Sequence, residues 1–468
     1  MKPYLFTLTI SPVQSFISQA RKSQDLFVGS QILSQLMGKV LETFTEEERI
    51  FPQNTNAISN KIVLKLVGKD PKTIGENLER QINKDFINAV FKATCQYHSS
   101  LNNFFQVYWV AVELGDKYQE SYKNLERNLR TVKNLRTFSQ ESQTAGHQKC
   151  SLCGERNFAK EYDKEKLCLV CATKRCDLQN HSNDSFPSLA DIVTLDRKEK
   201  LKGQDAEAFL DANPSEKKHY ALLHFDVDSL GKTLSGLPEK GQIELSEKLG
   251  EFSIKAKKIV DKSGKTVYAG GDDFLGFVNL ASLFEVIDEL YCDFESMKMD
   301  LTFTASILIA HYKAPLHKVL DYSRELLEES KNHFDDKNGV GIMVMSSNAI
   351  ISKTICRYED IGLLQKMKEK EIAKHIHFKL PMIFNTLSEM SYDEMLMEKA
   401  MIAVEIKRLL KRENPNFEKD DELKELHKKL TIFLNKQTKE LSANRYKLDF
   451  ENFIGFLKTL EQFRGVMQ

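Results

Sequence analysis

Residues Tyr268–Leu275 read YAGGDDFL, which places two glycines and two aspartates between two short apolar runs. Paired glycines accept the positive φ angles of a tight turn, so the stretch predicts a β-hairpin with Asp272 and Asp273 at its tip. Carboxylates are hard oxygen ligands, and a pair of them suits Mg²⁺ or Mn²⁺ held against a nucleotide triphosphate. Glycine–aspartate clusters also form ordinary surface turns, so this hairpin alone leaves both interpretations open.

A second pair of carboxylates lies upstream, in the stretch Tyr220–Lys232, which reads YALLHFDVDSLGK. The apolar residues 221–225 predict a buried strand. Asp226 and Asp228 are two residues apart and share one face of an extended chain. Two such pairs side by side are what two-metal phosphoryl transfer needs, because one ion activates an attacking 3′ hydroxyl and the other stabilises the departing pyrophosphate. We therefore predict a catalytic site built from Asp226, Asp228, Asp272 and Asp273.

The order of elements around these pairs predicts a ferredoxin-like β-α-β-β-α-β unit. A helix is expected at 244–260, then the hairpin, a helix at 281–297 and a strand at 301–310. This order places both carboxylate pairs on adjacent central strands. A further helix follows and ends near Lys331, which is a candidate phosphate ligand; the alternative is a lysine that complements the helix dipole.

Four cysteines predict a structural metal site. Cys150 and Cys153 form one C-x₂-C pair, and Cys168 and Cys171 form a second, close to the spacing of a Cys₄ zinc site. The surrounding segment is polar and lacks a core of its own, so metal binding would provide most of its folding energy. Closed Cys₄ sites are structural, and we assign this one no chemistry. Cys176 is a spare ligand or, as the simpler alternative, a free thiol.

Composition limits the class of protein. At 468 residues the chain has room for about three domains. Its formal net charge is +0, so nucleic acid must be bound by local patches rather than by overall charge. The sequence contains no signal-peptide pattern and no apolar run of membrane-spanning length. Eight cysteines without a disulfide framework fit a reducing cytoplasm, where we expect the protein.

The N-terminal region predicts a second α/β unit. A strand at Leu5–Ile10 precedes a helix that Ser11 would N-cap, and further strands are expected at 61–67 and 106–114. This unit resembles a palm without carboxylate pairs. The stretch Arg21–Gln24 suits a solvated helix face better than a nucleotide pocket.

The C-terminal part is rich in lysine, glutamate and leucine and predicts helices, among them 395–411 and 421–434. Their charged faces suit solvent, and a partner-docking surface is the alternative. The fold class is therefore α+β, with two ferredoxin-like palm domains, a Cys₄ knuckle and a C-terminal helical domain. The expected domains are 1–140 (N-terminal palm-like), 141–215 (knuckle and connector), 216–347 (palm with the GGDD hairpin) and 348–468 (helical).

Together these motifs resemble the large, polymerase-like subunit of type III CRISPR effector complexes, in particular that of the Cmr (type III-B) branch. The resemblance covers most of the chain, and the combination is specific although each motif alone is not. It is carried by Ile10–Lys22, Asp25–Phe27, Gly29-Ser30, Asp226–Lys232, Gly270–Asp273, Ala310–Leu316 and the Cys₄ knuckle between the two palms.

The resemblance implies assembly with guide RNA and smaller Cmr subunits, not a stand-alone homo-oligomer, and activation by a bound target RNA. The palm would convert ATP to cyclic oligoadenylate, with Asp272, Asp273 and Asp226 as the metal ligands. Some relatives are thought to join AMP to S-adenosylmethionine instead, and the sequence leaves the product open. The residues expected to hold the nucleotide are Gly270, Gly271, Ser229, Lys232 and Lys331.

Many relatives carry an N-terminal HD nuclease domain. This sequence begins at the first palm and contains no His-Asp dipeptide, so we expect no DNase activity in the subunit. Two other functions remain in competition. One is a diguanylate-cyclase-like enzyme, although its hairpin normally carries glutamate as the fourth residue. The other is a non-catalytic scaffold that binds RNA through a silent palm.

Overall fold

The structure is a computed structural model, and it describes residues 2–135, 148–162, 164–176, 186–368, 376–384, 389–442 and 444–467. The chain forms two compact units that interleave along the sequence. The first contains residues 1–212, 225–301 and 315–321, and the second contains residues 213–224, 302–314 and 322–468. In the described part of the chain, no helix combines the length and apolar character needed to cross a bilayer.

The N-terminal part of the first unit is built on a four-stranded antiparallel sheet of order β2-β3-β1-β4. β1 is central, since Phe6 pairs with Leu64 of β3 on one side and with Ala111 of β4 on the other. The two strands predicted after β1 are confirmed. The elements are β1 (Tyr4–Ser11), α1 (Gln14–Ser18), α2 (Ser23–Glu42), β2 (Arg49–Phe51), β3 (Lys61–Leu66), α3 (Pro71–Thr94), β4 (Gln106–Glu113) and α4 (Tyr118–Asn134).

One prediction for this region is wrong. Ser11 does not cap a helix, because it is still part of β1 and pairs with Gln106 across the sheet. Sheet pairing holds the Ser11 backbone extended, and α1 begins only at Gln14, with Val13 at its N-cap position and no side-chain cap.

A small knuckle follows in the same unit. It consists of a two-stranded hairpin and a short helix that packs against α2 and α3. Two more short helices lead to the second sheet. The elements are β5 (Lys160–Tyr162), β6 (Glu165–Leu167), α5 (Leu169–Cys176), α6 (Leu189–Val193) and α7 (Gln204–Ala212).

The second sheet contains β7 (His219–Val227), β8 (Gly264–Gly270), β9 (Asp273–Asn279), β10 (Phe303–His311), β11 (Val340–Met345) and β12 (Ile350–Cys356). Its strand order is β12-β11-β10-β7-β9-β8. The β-α-β-β-α-β motif consists of β7, β8, β9 and β10. Its first strand, β7, lies between its third strand, β9, and its fourth strand, β10, which confirms the ferredoxin-like arrangement. The hairpin is not central, however: β9 neighbours β7, but β8 is the edge strand. The elements are β7 (His219–Val227), α8 (Leu230–Gly236), α9 (Glu239–Ser263), β8 (Gly264–Gly270), β9 (Asp273–Asn279), α10 (Leu283–Ser296) and β10 (Phe303–His311).

The second unit contains β10, β11 and β12 and ends in helices. β10 pairs in parallel with β11, and β11 pairs antiparallel with β12, against which the last helix packs. The predicted C-terminal helices are confirmed, and a two-stranded hairpin interrupts them. The elements are α11 (Leu316–His333), β11 (Val340–Met345), β12 (Ile350–Cys356), α12 (Tyr358–Lys368), α13 (Ile376–Ile383), α14 (Tyr392–Glu413), α15 (Asp421–Lys436), β13 (Thr438–Ser442), β14 (Arg445–Leu448) and α16 (Phe450–Met467).

Candidate functional site

The GGDD stretch forms the tight hairpin that the sequence predicts. Gly270 pairs with Asp273 across β8 and β9, which leaves Gly271 and Asp272 as the two turn residues. Gly271 has a φ of +66°, a conformation that glycine adopts without steric cost. The Asp272 N–H donates a hydrogen bond to the Gly270 carbonyl at 2.7 Å, which closes the turn.

The hairpin tip is bonded directly to the end of β7. The Val227 N–H donates to the Asp272 carbonyl at 2.9 Å. Beneath this bond, the rings of Phe225 and Phe274 stack with centroids 4.7 Å apart and planes 4° from parallel. Both contacts hold the strand that carries Asp226 beside the turn that carries Asp272, so Asp226 lies close enough to act on Asp272 together with Asp273.

Asp272 is the electrostatic centre of this arrangement. Burial, first of all, and then the charges of Asp226 and Asp273 raise the pKa of Asp272 to about 7. The charge of Lys61, from the N-terminal sheet, acts in the opposite direction. Carboxylates that crowd together in this way repel one another unless a cation or a proton lies between them. The donor set therefore fits Mg²⁺ or Mn²⁺, hard cations that prefer carboxylate oxygens.

The two aspartates of the D-x-D motif differ in surroundings. Asp226 is half-buried near the end of β7, whereas Asp228 is buried one residue beyond the end of the strand. Ser229 follows with a φ of +57° at the N-cap position of α8, and Lys232 is exposed on that helix. Within the described residues, the four aspartates are not packed as closely as the cysteines described below.

Lys331 belongs to the second unit, in the last turn of α11. Its ammonium lies 3.7 Å from the Glu328 carboxylate. This position agrees with the expectation of a lysine that complements the helix dipole.

A loop of the N-terminal sheet, residues 52–60, packs against the hairpin, and no sequence pattern indicates this contact. The Ile58 carbonyl oxygen would lie 2.7 Å from a Cβ on Gly270, and Asn54 would lie 2.8 Å from a Cβ on Gly250 of α9. Lys61, which follows this loop, forms an ion pair with Glu126 of α4. Sequence patterns detect periodicity and local turns, and they contain no signal for such a contact between distant segments.

The four cysteines of the knuckle converge. The sulfur atoms of Cys150, Cys153, Cys168 and Cys171 all lie within 4.8 Å of one another, and Cys153 and Cys168 are 3.9 Å apart. Tetrahedral zinc with bonds of about 2.3 Å places its sulfur ligands about 3.8 Å apart, so the cluster fits the ion. Hydrogen bonds from the other three sulfurs lower the pKa of the Cys150 thiol. Cys176 lies outside the group.

Two buried cations tie this knuckle to the N-terminal region. Arg175 of α5 donates to both carboxylate oxygens of Asp25 at 2.6 and 2.8 Å, and both side chains are at most 2% exposed. The neighbouring Lys174 donates to the carbonyls of Phe16 and Gln19. A buried, bidentate pair of this kind fixes the relative position of the two segments.

Comparison with known proteins agrees with this architecture. Residues 219–341 match the family model "Cas10/Cmr2, second palm domain", and residues 5–132 match "CRISPR-associated protein Cmr2, N-terminal". The CRISPR system Cmr subunit Cmr2 of Pyrococcus furiosus is 23% identical, over 84% of this chain and 68% of that protein.

Solved structures with the same fold include two of a type III-B Cmr-beta complex. The match to the chain in the apo complex has a TM-score of 0.67 and spans 99% of the present chain and 82% of the solved one. The match to the chain in the complex bound to cognate target RNA has a TM-score of 0.70 and spans 99% of the present chain and 83% of the solved one. Both are 12% identical to this chain, a level at which the likeness shows the fold alone. From the two family models and the curated relative, the chain belongs to the Cas10/Cmr2 family of large subunits of type III-B CRISPR effector complexes.

Proposed function

We propose that this subunit is a metal-dependent nucleotidyl transferase that converts ATP to a signalling nucleotide when its complex binds target RNA. The observation that carries the proposal is the placement of Asp226 and Asp273 beside the buried Asp272, where burial first and then the two neighbouring charges raise the pKa of the Asp272 carboxyl to about 7. A surface turn without function has no reason to hold three carboxylates together at this energetic cost. Family membership supports the same conclusion.

In this proposal Asp226, Asp272 and Asp273 hold Mg²⁺ or Mn²⁺, and Asp228 is the fourth acidic residue of the site. When bound, the cations would supply charge stabilisation for the attacking hydroxyl and the leaving pyrophosphate. Gly270 and Gly271 let the nucleotide approach the hairpin backbone. Ser229 and Lys232, at the start of α8, lie one and four residues beyond Asp228. Both are proposed to contact the phosphates of the nucleotide.

The expected product is cyclic oligoadenylate, with an AMP conjugate of S-adenosylmethionine as the alternative product of the same palm. The proposed partners are guide RNA, target RNA and the smaller Cmr subunits, in the cytoplasm. A structural zinc ion in the Cys₄ cluster completes the proposal. Lys331 is retained as a nucleotide contact only if its substitution affects ATP use.

The test is a product assay on the reconstituted complex with target RNA, divalent cation and labelled ATP, with and without S-adenosylmethionine, read by mass spectrometry. The double variant Asp272→Asn with Asp273→Asn should assemble normally and lose product by at least about a hundredfold, because a ligand set worth several kcal/mol is removed. A charge-matched control replaces the exposed Asp116 and Asp205 by Asn and should retain full activity.

The outcomes separate the competing functions. Product from GTP but not from ATP would favour a diguanylate-cyclase-like enzyme. Unchanged behaviour of the Asp272 and Asp273 double variant, with no product from either nucleotide in the unsubstituted complex, would favour a non-catalytic scaffold.

A further inference from the structure

A basic pocket lies beside the Cys₄ knuckle, on the first unit. Its volume is about 400 Å³, and its walls come from the knuckle and from Arg21, two residues before the start of α2. Four cationic side chains line it: Arg21, Lys149, Lys164 and Lys166. All four are exposed to solvent.

Among the described residues that line the pocket, Glu165 is the single carboxylate, and its charge is neutralised by ion pairs. It forms ion pairs with Arg21, which also donates to the Ser151 carbonyl at 2.8 Å, and with the buried Arg175. Among the described residues, the ammonium groups of Lys149 and Lys166 bond to neutral oxygen atoms: the Glu155 carbonyl and Asn157 amide for the former, and the Gln148 amide for the latter. The described lining residues therefore carry more positive than negative charge.

The wall of the pocket is held rigidly. Asp25 accepts hydrogen bonds from the backbone N–H groups of Arg21 and Lys22, at 3.1 and 3.0 Å, while its carboxylate pairs with Arg175. Arg175 also holds Glu165, and Glu165 holds Arg21. A cationic surface positioned in advance loses little conformational freedom when a ligand binds.

The lining also limits the kind of ligand. Among the described residues that line it there is no aromatic ring and no apolar side chain, so these residues offer neither a stacking platform nor a wall for a nucleobase. Several exposed lysines at one surface instead suit a polymer that brings several phosphates at once and releases its counter-ions. We propose that this pocket binds the phosphate backbone of single-stranded RNA. The choice of RNA among polyanions rests on the proposed function.

The test measures RNA binding by the full chain. The probe is a labelled uridine oligomer of about 16 nucleotides, the upper size of a common single-strand site, and binding is followed by fluorescence anisotropy at several salt concentrations. The variant Lys149→Gln, Lys164→Gln, Lys166→Gln should bind about tenfold or more weakly. The slope of log affinity against log salt should fall by about 2, because each lost phosphate contact removes about 0.7.

A matched control removes the same charge elsewhere in the unit. Lys2, Lys72 and Lys117 have side chains that are 74%, 77% and 75% exposed, and each pairs with a glutamate. Their triple substitution by Gln should leave affinity and salt slope unchanged. Circular dichroism and thermal unfolding check the fold of both variants, and Lys166→Gln alone serves if the triple variant is unstable.

The proposal is overturned if the pocket variant binds RNA with the affinity and salt slope of the unsubstituted chain, or if that chain binds no RNA. Competition distinguishes the source of the phosphate: displacement of RNA by ATP or inorganic phosphate at equal phosphate concentration would assign the pocket to a free anion instead. Binding is measured also on the Asp272→Asn, Asp273→Asn variant. RNA binding does not depend on turnover, so the binding result can be interpreted even if the catalytic proposal fails.

Discussion

At the scale of single residues, Gly270 has a role that its neighbour does not share. Of the two turn glycines, Gly271 is the one with a positive φ. Gly270 is needed for a different reason, because a Cβ at this position would lie 2.7 Å from the Ile58 carbonyl oxygen. Gly270→Ala should therefore displace the hairpin from the loop behind it, at a cost of about 1–3 kcal/mol in unfolding free energy. We expect product formation to fall well below that of the unsubstituted complex, as measured in the ATP assay.

The matched control for this substitution is Gly236→Ala at the end of α8, where a Cβ meets no atom within 4 Å. It should change neither stability nor activity. Full activity and unchanged stability of Gly270→Ala would contradict the role assigned to the close contact with Ile58.

Lys61 provides a second test at this scale. Its positive charge lowers the pKa of Asp272, against the larger effects that raise it. Lys61→Gln should therefore raise that pKa further. Since an aspartate must be ionised to bind a divalent cation, the acid limb of the pH–activity profile should move to higher pH. Lys65→Gln, four residues further along the same strand, is the control, because Lys65 pairs with Glu239 and should leave the profile in place.

These residues also show what the sequence contains and what it omits. The turn and the strand before Asp226 follow from local pattern, and the structure confirms them. The contact of Ile58 and the charge of Lys61 do not follow, since more than 200 positions along the chain separate them from the hairpin. Nothing in periodicity or spacing reports that proximity.

At the scale of elements, the knuckle should depend on its metal ion. Four thiols within 4.8 Å of one another suit a zinc ion, and the segment has few apolar residues to hold it otherwise. We predict one zinc per chain by elemental analysis. Cys153→Ser should lose it and lower the thermal stability of the subunit. Cys176→Ser is the control, because Cys176 is buried near the cluster but does not belong to it. Zinc content unchanged in Cys153→Ser would contradict the assignment.

Most elements were predictable because their signals are local. The strand Val340–Met345 and the helix that starts at Asp421 coincide with the apolar and charge patterns. The misassigned helix start at Ser11 has a physical cause, because β1 pairs on both sides and extends one residue further than its own sequence suggests. The edge position of β8 follows from the ferredoxin-like strand order itself, in which the second strand of the motif pairs only with the third.

At the scale of the whole molecule, the charge balance argues for a switch that needs partners. Lysine and arginine number 67 and aspartate and glutamate number 67, so overall charge does not attract RNA. The proposed metal site has a matching property: with a pKa of about 7, Asp272 is partly protonated at neutral pH, and a protonated carboxyl binds a cation weakly. An event that draws a cation and nucleotide into the site would have to overcome this cost.

We therefore predict that the purified subunit without RNA forms product at least about tenfold more slowly than the complex with target RNA, a ratio within the range of ordinary allosteric coupling. The measurement compares initial rates for the subunit alone, the subunit with RNA and the complete complex under one set of conditions. Raising the pH from 6 to 8 should narrow the difference, because ionisation of Asp272 removes part of the resting-state cost. Equal rates for the subunit alone and the complete complex would show that the palm needs no activation, and the protonated carboxyl would then have no part in keeping it silent.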